Sequence, residues 1–248
     1  MFSRSCTLLV TMLSLVGCGA AGPKEGERPA AQGKAQDLAP INRIDTWLNG
    51  LHVAKEGRGH MAEVNHYCDV VDDTLIQCAL YDRTGPRAHL VGVEYVLSED
   101  GFNSLPRDER PYWHPHNYEV LSGMLVAPGM PAGQEDAVMR RLLNSYGKTW
   151  HTWPMGRPGD AAPALPVGDP QLGWSFNADN EAPLGLVSAR DRRLGVDSRS
   201  LRELRAPLVR DAHPQEGVNA MAAEFPTRQP MKGVREVYPT DRPGPGTR

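Results

Sequence analysis

The segment AEVNHYCDVVDDTLIQCALY (residues 62–81) predicts a β-hairpin. Two runs rich in apolar residues flank Asp72-Asp73, a pair typical of turns. A three-residue loop that begins at Asp72 pairs Cys68 with Cys78 across the two strands. The fold is therefore expected to contain an antiparallel sheet.

The two cysteines of this hairpin leave three interpretations open. The chain has four cysteines, and the other two, Cys6 and Cys18, lie in the N-terminal segment. Cys68 and Cys78 can form a cross-strand disulfide, remain two buried thiols, or bind a metal, and spacing alone does not decide between these.

The next predicted strand, His89–Leu97, carries an acidic side chain in an apolar setting. Alternation predicts that one face packs into the core, and this face contains Val91, Val93, Tyr95 and Leu97. Glu94 then lies on the opposite face. If a second layer covers that face, the carboxylate is buried and needs a partner.

The segment WHPHNYEV (residues 113–120) concentrates the chain's unusual side chains. His114, His116 and Glu119 fall within it, and an apolar run at 120–126 follows. This pattern predicts a strand that enters the core with polar residues at its mouth.

The remaining elements are predicted to be short. We expect an amphipathic helix at Ile41–His52, a helix at Glu135–Tyr146, an extended segment at 150–153 and a last strand at 172–177. Together they predict an α+β fold with an antiparallel sheet core and a few short packing helices, or alternatively a cupin-like β-barrel. We place the domain at residues 41–182, followed by a Pro- and Arg-rich, partly disordered extension at 183–248.

The N-terminus is typical of a secreted protein. Residues 1–17 contain Arg4 and an apolar stretch too short to span a bilayer, which indicates a signal peptide. Its end, Leu15-Val16-Gly17-Cys18, resembles the lipobox of bacterial lipoproteins. That resemblance implies lipidation of Cys18 and a periplasm-facing anchor in the bacterial outer membrane, with residues 18–40 as a disordered tether.

Charge and composition argue against one class of partner. The net charge is −3, and no basic stretch with interleaved aromatic residues occurs in the centre of the chain. We therefore expect the membrane, and not nucleic acid, as a partner.

Histidines and glutamates are the candidate chemical groups, and their roles stay open. A divalent transition metal such as zinc is one hypothesis, with ligands drawn from separate elements: His66, His114, His116, His151, Glu94 and Glu119. The His-x-His pair resembles that of cupins, but in a continuous strand Glu119 points away from His114 and His116. The alternatives are hydrogen bonding within the core, with no cofactor, and acid–base catalysis.

Several motifs together resemble the oil body-associated protein family, and they occur in the same order. They are NHYC (65–68), QC (77–78), LVGVEY (90–95), WHPHNYEV (113–120) and YGKTWH (146–151). The resemblance implies a role near lipid surfaces and no assigned reaction. We therefore expect a non-enzymatic lipid- or envelope-associated factor, and the alternative is a metal-binding protein or metal-dependent enzyme.

Overall fold

The computed structural model describes residues 36–57, 59–157 and 163–237. The predicted signal peptide (1–17), Cys18, most of the predicted tether and the last residues of the predicted extension lie outside these ranges. Within them, no helix is both long enough and apolar enough to cross a membrane.

Strands dominate the first two thirds of the described chain, and helices dominate the last third. The elements are α1 (Ala39–Asn42), β1 (Thr46–Ala54), β2 (Met61–Val70), β3 (Leu75–Tyr81), β4 (Leu90–Leu97), α2 (Glu99–Asn103), β5 (His114–Pro115), α3 (Asn117–Leu121), α4 (Ala132–Leu142), β6 (Tyr146–His151), β7 (Gln171–Ser175), α5 (Leu184–Leu194) and α6 (Ser198–Arg205). Short 3-10 turns occupy Arg110–Tyr112, Ala206–Arg210 and Ala222–Glu224.

The strands form one antiparallel sheet that closes on itself. The sheet order is β4-β3-β2-β1-β7-β6-β5, and β4 also pairs with β6. This last pairing, from Gly92 opposite His151 to Leu97 opposite Tyr146, closes a barrel of six strands with β5 as an addition beside β6. The expected α+β fold is confirmed, in the barrel form of the cupin-like alternative. Closure gives the sheet an inside that is shielded from water.

The hairpin register is confirmed residue by residue. Cys68 lies opposite Cys78, and Val70 opposite Ile76. Cys68 Sγ and Cys78 Sγ are bonded at 2.04 Å. Of the three interpretations of this pair, the structure therefore contains the disulfide, and it faces the barrel interior.

The predicted core face of β4 is wrong at its centre. Val93 and Tyr95 are 37% and 44% exposed, whereas Glu94 is 3% exposed; Val91 of the predicted face is buried and Leu97 is partly buried. The reason is closure of the barrel, which puts Glu94 and Val96 on the inner side and leaves Val93 and Tyr95 outside. The face of β4 that carries Glu94 is therefore covered, so the carboxylate is buried and needs a partner, as the sequence analysis stated for that case.

The predicted helix at Ile41–His52 is also wrong. Only α1 is helical, and β1 runs from Thr46 to Ala54. The apolar residues of this segment fit a helical period, but Gly50 weakens a helix, and every β1 residue from Leu48 onward is buried. A strand covered on both faces shows no simple alternation, which explains the error.

The segment after Pro115 is helical, so the strand predicted at 120–126 is wrong. Helix α3 begins at Asn117 directly after β5, and it ends at Leu121 before Gly123, which has a φ of +77°.

Other elements agree with the predictions made from the sequence. Helix α4 and strand β7 are confirmed with shifted ends, and Tyr146 begins β6 and is not the end of the helix.

The fold continues beyond residue 182, where we expected a partly disordered extension. Helices α5 and α6 follow, and residues up to Val234 contribute side chains to the main apolar core. Arg190 on α5 is 1% exposed. Its guanidinium donates to Asn49 Oδ1 on the outer face of β1 (3.0 Å) and to the carbonyl of Met124 (2.8 Å), which ties the C-terminal helices to the barrel.

We predict that Arg190→Ala lowers the free energy of unfolding by about 3 kcal/mol, because the buried acceptors lose their donor. Urea unfolding followed by circular dichroism measures the change. The matched control is Arg192→Ala, an exposed position on the same helix, which should change stability by no more than about 0.5 kcal/mol. Equal unfolding midpoints for the two variants would contradict this account of the C-terminal region.

Candidate metal centre inside the barrel

Inward-facing positions on separate strands bring the histidines together around Glu94. His52 comes from β1, His66 from β2 and Glu94 from β4, all at positions whose side chains point into the barrel. Alternation along each strand makes this placement possible, and the antiparallel register sets the level at which each side chain lies. The barrel axis therefore carries a polar cluster inside an apolar shell.

Glu94 is the centre of this cluster. Its Oε2 lies 2.9 Å from His66 Nε2 and 3.8 Å from His52 Nε2. Its Oε1 lies 3.3 Å from His116 Nε2 and 3.6 Å from His114 Nε2. Four imidazoles thus present the same ring nitrogen to one carboxylate, and each of these residues is at most 5% exposed.

His114 and His116 both reach the centre. The sequence analysis expected a continuous strand here, in which Glu119 would point away from both histidines. β5 ends at Pro115, and His116 is the N-cap residue of α3. The chain changes from strand to helix between the two histidines, so His114 points inward from the strand while His116 and Glu119 share a helical face. His116 Nε2 lies 3.9 Å from Glu119 Oε2. The argument against a cupin-like arrangement, that Glu119 must point away from His114 and His116, is therefore wrong.

His52 was missed by the sequence analysis, which placed it at the end of a helix. His151, which was a predicted ligand, does not lie against Glu94, and its Nε2 contacts His52 Nδ1 at 3.0 Å instead. His151 therefore contacts His52, which belongs to the cluster, and does not contact Glu94 itself. Gly50, near the end of the supposed helix, was the available signal against a helix there, and His52 lies two residues beyond it.

A hydrogen bond identifies the tautomer of His116. Ser145 Oγ donates its only proton to the carbonyl of Leu142 (2.8 Å) and must accept from His116 Nδ1 (2.8 Å). In the neutral ring, Nε2 then has a free lone pair. That lone pair faces Glu94 Oε1 and, at 3.2 Å, His114 Nε2. Electron-rich atoms at such distances require a proton or a metal ion between them.

The glycine at the start of β6 keeps this centre open. An added Cβ at Gly147 would lie 2.4 Å from Glu94 Oε1, 2.6 Å from His116 Nε2 and 2.7 Å from His114 Cε1. No side chain can be accommodated there without displacing the cluster. The backbone of β6 therefore approaches these three groups as closely as only glycine permits.

The two carboxyl groups respond oppositely to the same environment. Burial favours the neutral form of Glu94, but the contacts of His116 and His66, whose rings donate to the carboxylate when they are protonated, hold its pKa well below the usual range. Burial and repulsion from Glu94 raise the pKa of Glu119 well above it. One carboxylate at the centre is thus charged, and the second is held neutral.

Burial also keeps imidazoles of the cluster unprotonated. It lowers the pKa of His114 to about 3 and that of His151 to about 4, and it lowers the pKa of His52 well below the ordinary value. Neutral imidazole nitrogens and a charged carboxylate are the ligands that divalent transition metals use. Two triads, His52/His66/Glu94 and Glu94/His114/His116, have ligand atoms that all lie within 4.8 Å of one another.

A cavity of about 60 Å³ adjoins the cluster within the barrel. His66, His116, Glu94 and Glu119 line one end of it, and the rest is lined by apolar side chains, the Cys68–Cys78 disulfide, Thr46 and Arg141. The opposite end reaches the surface beside α4.

The fold and the site together define a class: a small antiparallel β-barrel that holds a buried histidine–glutamate cluster open to an interior cavity. Residues 38–209 match the model of a family described as "Protein of unknown function (DUF1264)". No solved structure matches the chain significantly.

Curated plant proteins share most of the chain. It is 33% identical to oil body-associated protein 1A of Zea mays over 88% of this chain and 87% of that protein. It is 34% identical to oil body-associated protein 2A of Arabidopsis thaliana over 70% of each chain. The chain belongs to this family of oil body-associated proteins, as its motifs indicated.

We predict that metal-free protein loses stability as the pH falls from about 6.5 to about 4. The pKa of His114 and His151 is lower in the folded chain than in the unfolded chain, so the unfolded state binds more protons in this window. Each such group contributes a slope of up to about 1.4 kcal/mol per pH unit. Glu119 acts oppositely, because its pKa is raised, and its contribution is lost as the pH rises above about 4.5.

Urea unfolding of chelator-treated protein at several pH values measures this slope. His114→Leu should make it shallower. The control, Val93→Leu, changes an exposed side chain that does not titrate and should leave the slope unchanged. A stability that is flat between pH 6.5 and 4 would contradict the buried neutral state of these rings.

Proposed function

We propose that this protein binds one divalent transition metal ion inside its barrel, with Glu94, His114 and His116 as ligands. The observation that carries the proposal is the convergence of two ring nitrogens on Glu94 Oε1, at 3.3 Å for His116 and 3.6 Å for His114, within a triad whose ligand atoms all lie within 4.8 Å of one another. His66 and His52 contact the other oxygen of Glu94, at 2.9 and 3.8 Å, and form a second triad with it.

The spacing of these atoms supports an ion of zinc's size. Ligands about 2.0–2.1 Å from a tetrahedral metal lie roughly 3.3 Å from one another. The distances from Glu94 to His116 and from His116 to His114, 3.3 and 3.2 Å, match this separation. A small contraction brings His114 into the same set.

Supporting contacts orient two of the rings as in known metal sites. A ligating histidine generally binds a partner through its second ring nitrogen, which fixes the tautomer. Ser145 does this for His116, and His151 does it for His52. His66 Nδ1 and His114 Nδ1 have no hydrogen-bond partner among the described residues.

Charge supports one ion in preference to two. In the described part of the chain, Glu94 is the only carboxylate that touches all four rings, and a single divalent ion beside it leaves one net positive charge. A second ion in the same buried space would leave about three, and burying uncompensated charge costs several kcal/mol per ion. Zinc, iron, nickel and copper all accept this donor set.

We predict that the purified full-length chain retains about one metal ion per molecule. Elemental analysis should show loss of the ion in His114→Ala and in His116→Ala. Exposed His213 and His89 are the matched controls, and their alanine variants should keep it. A chelator should lower the melting temperature of the wild type, since an ion bound only to the folded state stabilises it.

Two results would contradict the proposal. One is wild-type protein without stoichiometric metal even after incubation with zinc, iron, nickel or copper salts. The other is unchanged metal content in the two His→Ala variants. Circular dichroism of each variant separates loss of the ion from loss of the fold.

We also propose that the N-terminus anchors this barrel to a membrane as a periplasm-facing lipoprotein. The apolar stretch that ends at Leu15-Val16-Gly17-Cys18 supports it, and residues 19–40 are long enough to act as a tether. The names of the plant relatives associate them with oil bodies. A lipid-surface location of this chain would place the barrel in a comparable setting.

In a bacterial host, we predict that the wild-type chain incorporates labelled palmitate and that Cys18→Ala abolishes the label. Cys6→Ala is the control, because it removes the cysteine of the predicted signal peptide and leaves the lipidation site intact. Labelling of Cys18→Ala, or an unlabelled wild type, would contradict lipidation at this residue.

A further inference from the structure

The cavity beside the cluster has a polar inner end and apolar walls, and these two parts are continuous. Its inner end is lined by buried His66, His116 and Glu94. Its walls are apolar, with Leu48, Val96 and Leu125 among them. An ion held by the cluster therefore has a face that looks into an apolar space rather than into water.

The outer end of the cavity opens at the last turn of α4. Val138 is half-buried there and Arg141 is exposed, while Val70 on β2 is 38% exposed. Among the described residues, Arg141 is the only lysine or arginine that lines the cavity, and its guanidinium donates to the carbonyl of Asp72. A ligand that enters passes this positive charge first.

The size of the cavity limits what it can hold. One water-sized group needs about 10–15 Å³ of such space, so 60 Å³ holds about four to six groups. A long acyl chain, a sugar or a nucleotide does not fit. A carboxylate with a short unbranched chain does.

We infer that the cavity binds a short-chain aliphatic monocarboxylate, whose carboxylate faces the metal and whose alkyl chain lies along the apolar wall. This inference rests on the proposed metal site. The ion and Glu94 together leave one positive charge, which a monoanion neutralises in a space where water cannot.

The apolar wall sets the preference for an alkyl chain over a smaller anion. Each methylene transferred from water to such a wall strengthens binding about fourfold. The gain ends where the chain reaches the opening beside Val138. Affinity should thus increase from formate to butyrate and stay level for hexanoate.

Isothermal titration of zinc-loaded protein with sodium formate, acetate, butyrate and hexanoate tests this order, and 1-butanol tests the need for an anion. Val138→Phe should reduce the advantage of butyrate over formate and leave formate binding and zinc content unchanged. Val93→Phe, on the exposed outer face of β4, is its control.

A second pair of variants tests the entrance. Arg141→Gln should weaken butyrate binding severalfold, whereas Arg140→Gln, an exposed neighbour paired with Asp136 and Asp211, should not. Both variants should retain zinc, since neither residue contacts the cluster.

The outcomes separate this inference from the proposed function. Equal affinity for formate and butyrate, or equal binding of butyrate and 1-butanol, overturns the inference while zinc binding stands. A protein that binds no zinc overturns the proposed metal site and the inference with it.

Discussion

The charge of Glu94 inside a closed barrel is the constraint on which the rest of this structure depends. A buried carboxylate without partners is costly enough that it would be protonated or the fold would be lost. Here imidazoles from β1, β2, β5 and the start of α3 surround it, and their contacts keep it ionised. These elements place the rings around the carboxylate, and the absence of a side chain at Gly147 leaves room for them.

This arrangement is costly for a purely structural role. Hydrophobic residues of similar volume would fill the barrel with no charge to compensate, and such replacements are often neutral or stabilising in other proteins. The cluster instead gathers nitrogens whose lone pairs face one another, keeps a second carboxylate near them, and leaves an adjoining cavity unfilled. Those features are the ones expected of a site that takes up a cation and a small ligand.

The helices around the barrel complete the shielding of the site. α3 supplies both a ligand candidate and the acidic neighbour Glu119, and α4 covers the open end of the barrel. α5 and α6 lie further out and hold α3 and β1 in place through buried arginines. Arg205, for example, donates to the carbonyls of Val120 (2.9 Å) and Leu125 (2.8 Å). The C-terminal third of the chain thus supports the segment that carries His116.

Local signals were sufficient for part of this fold. The register of the β2–β3 hairpin, and with it the position of Cys68 opposite Cys78, followed from the Asp72-Asp73 turn and the pattern on either side. Helix α4 and strand β7 were also evident. These elements are specified by residues close in sequence, so periodicity and turn chemistry describe them without knowledge of their neighbours.

The candidate site itself was only half predictable. Five of the six proposed ligands, His66, Glu94, His114, His116 and Glu119, do lie together, but the sequence contained no information that their strands meet. The inner face of β4, the strand character of β1 and the role of His52 depend on which side of the sheet becomes the inside. Closure between β4 and β6 decides this through residues 49 to 59 positions apart, and no local pattern records such a pairing.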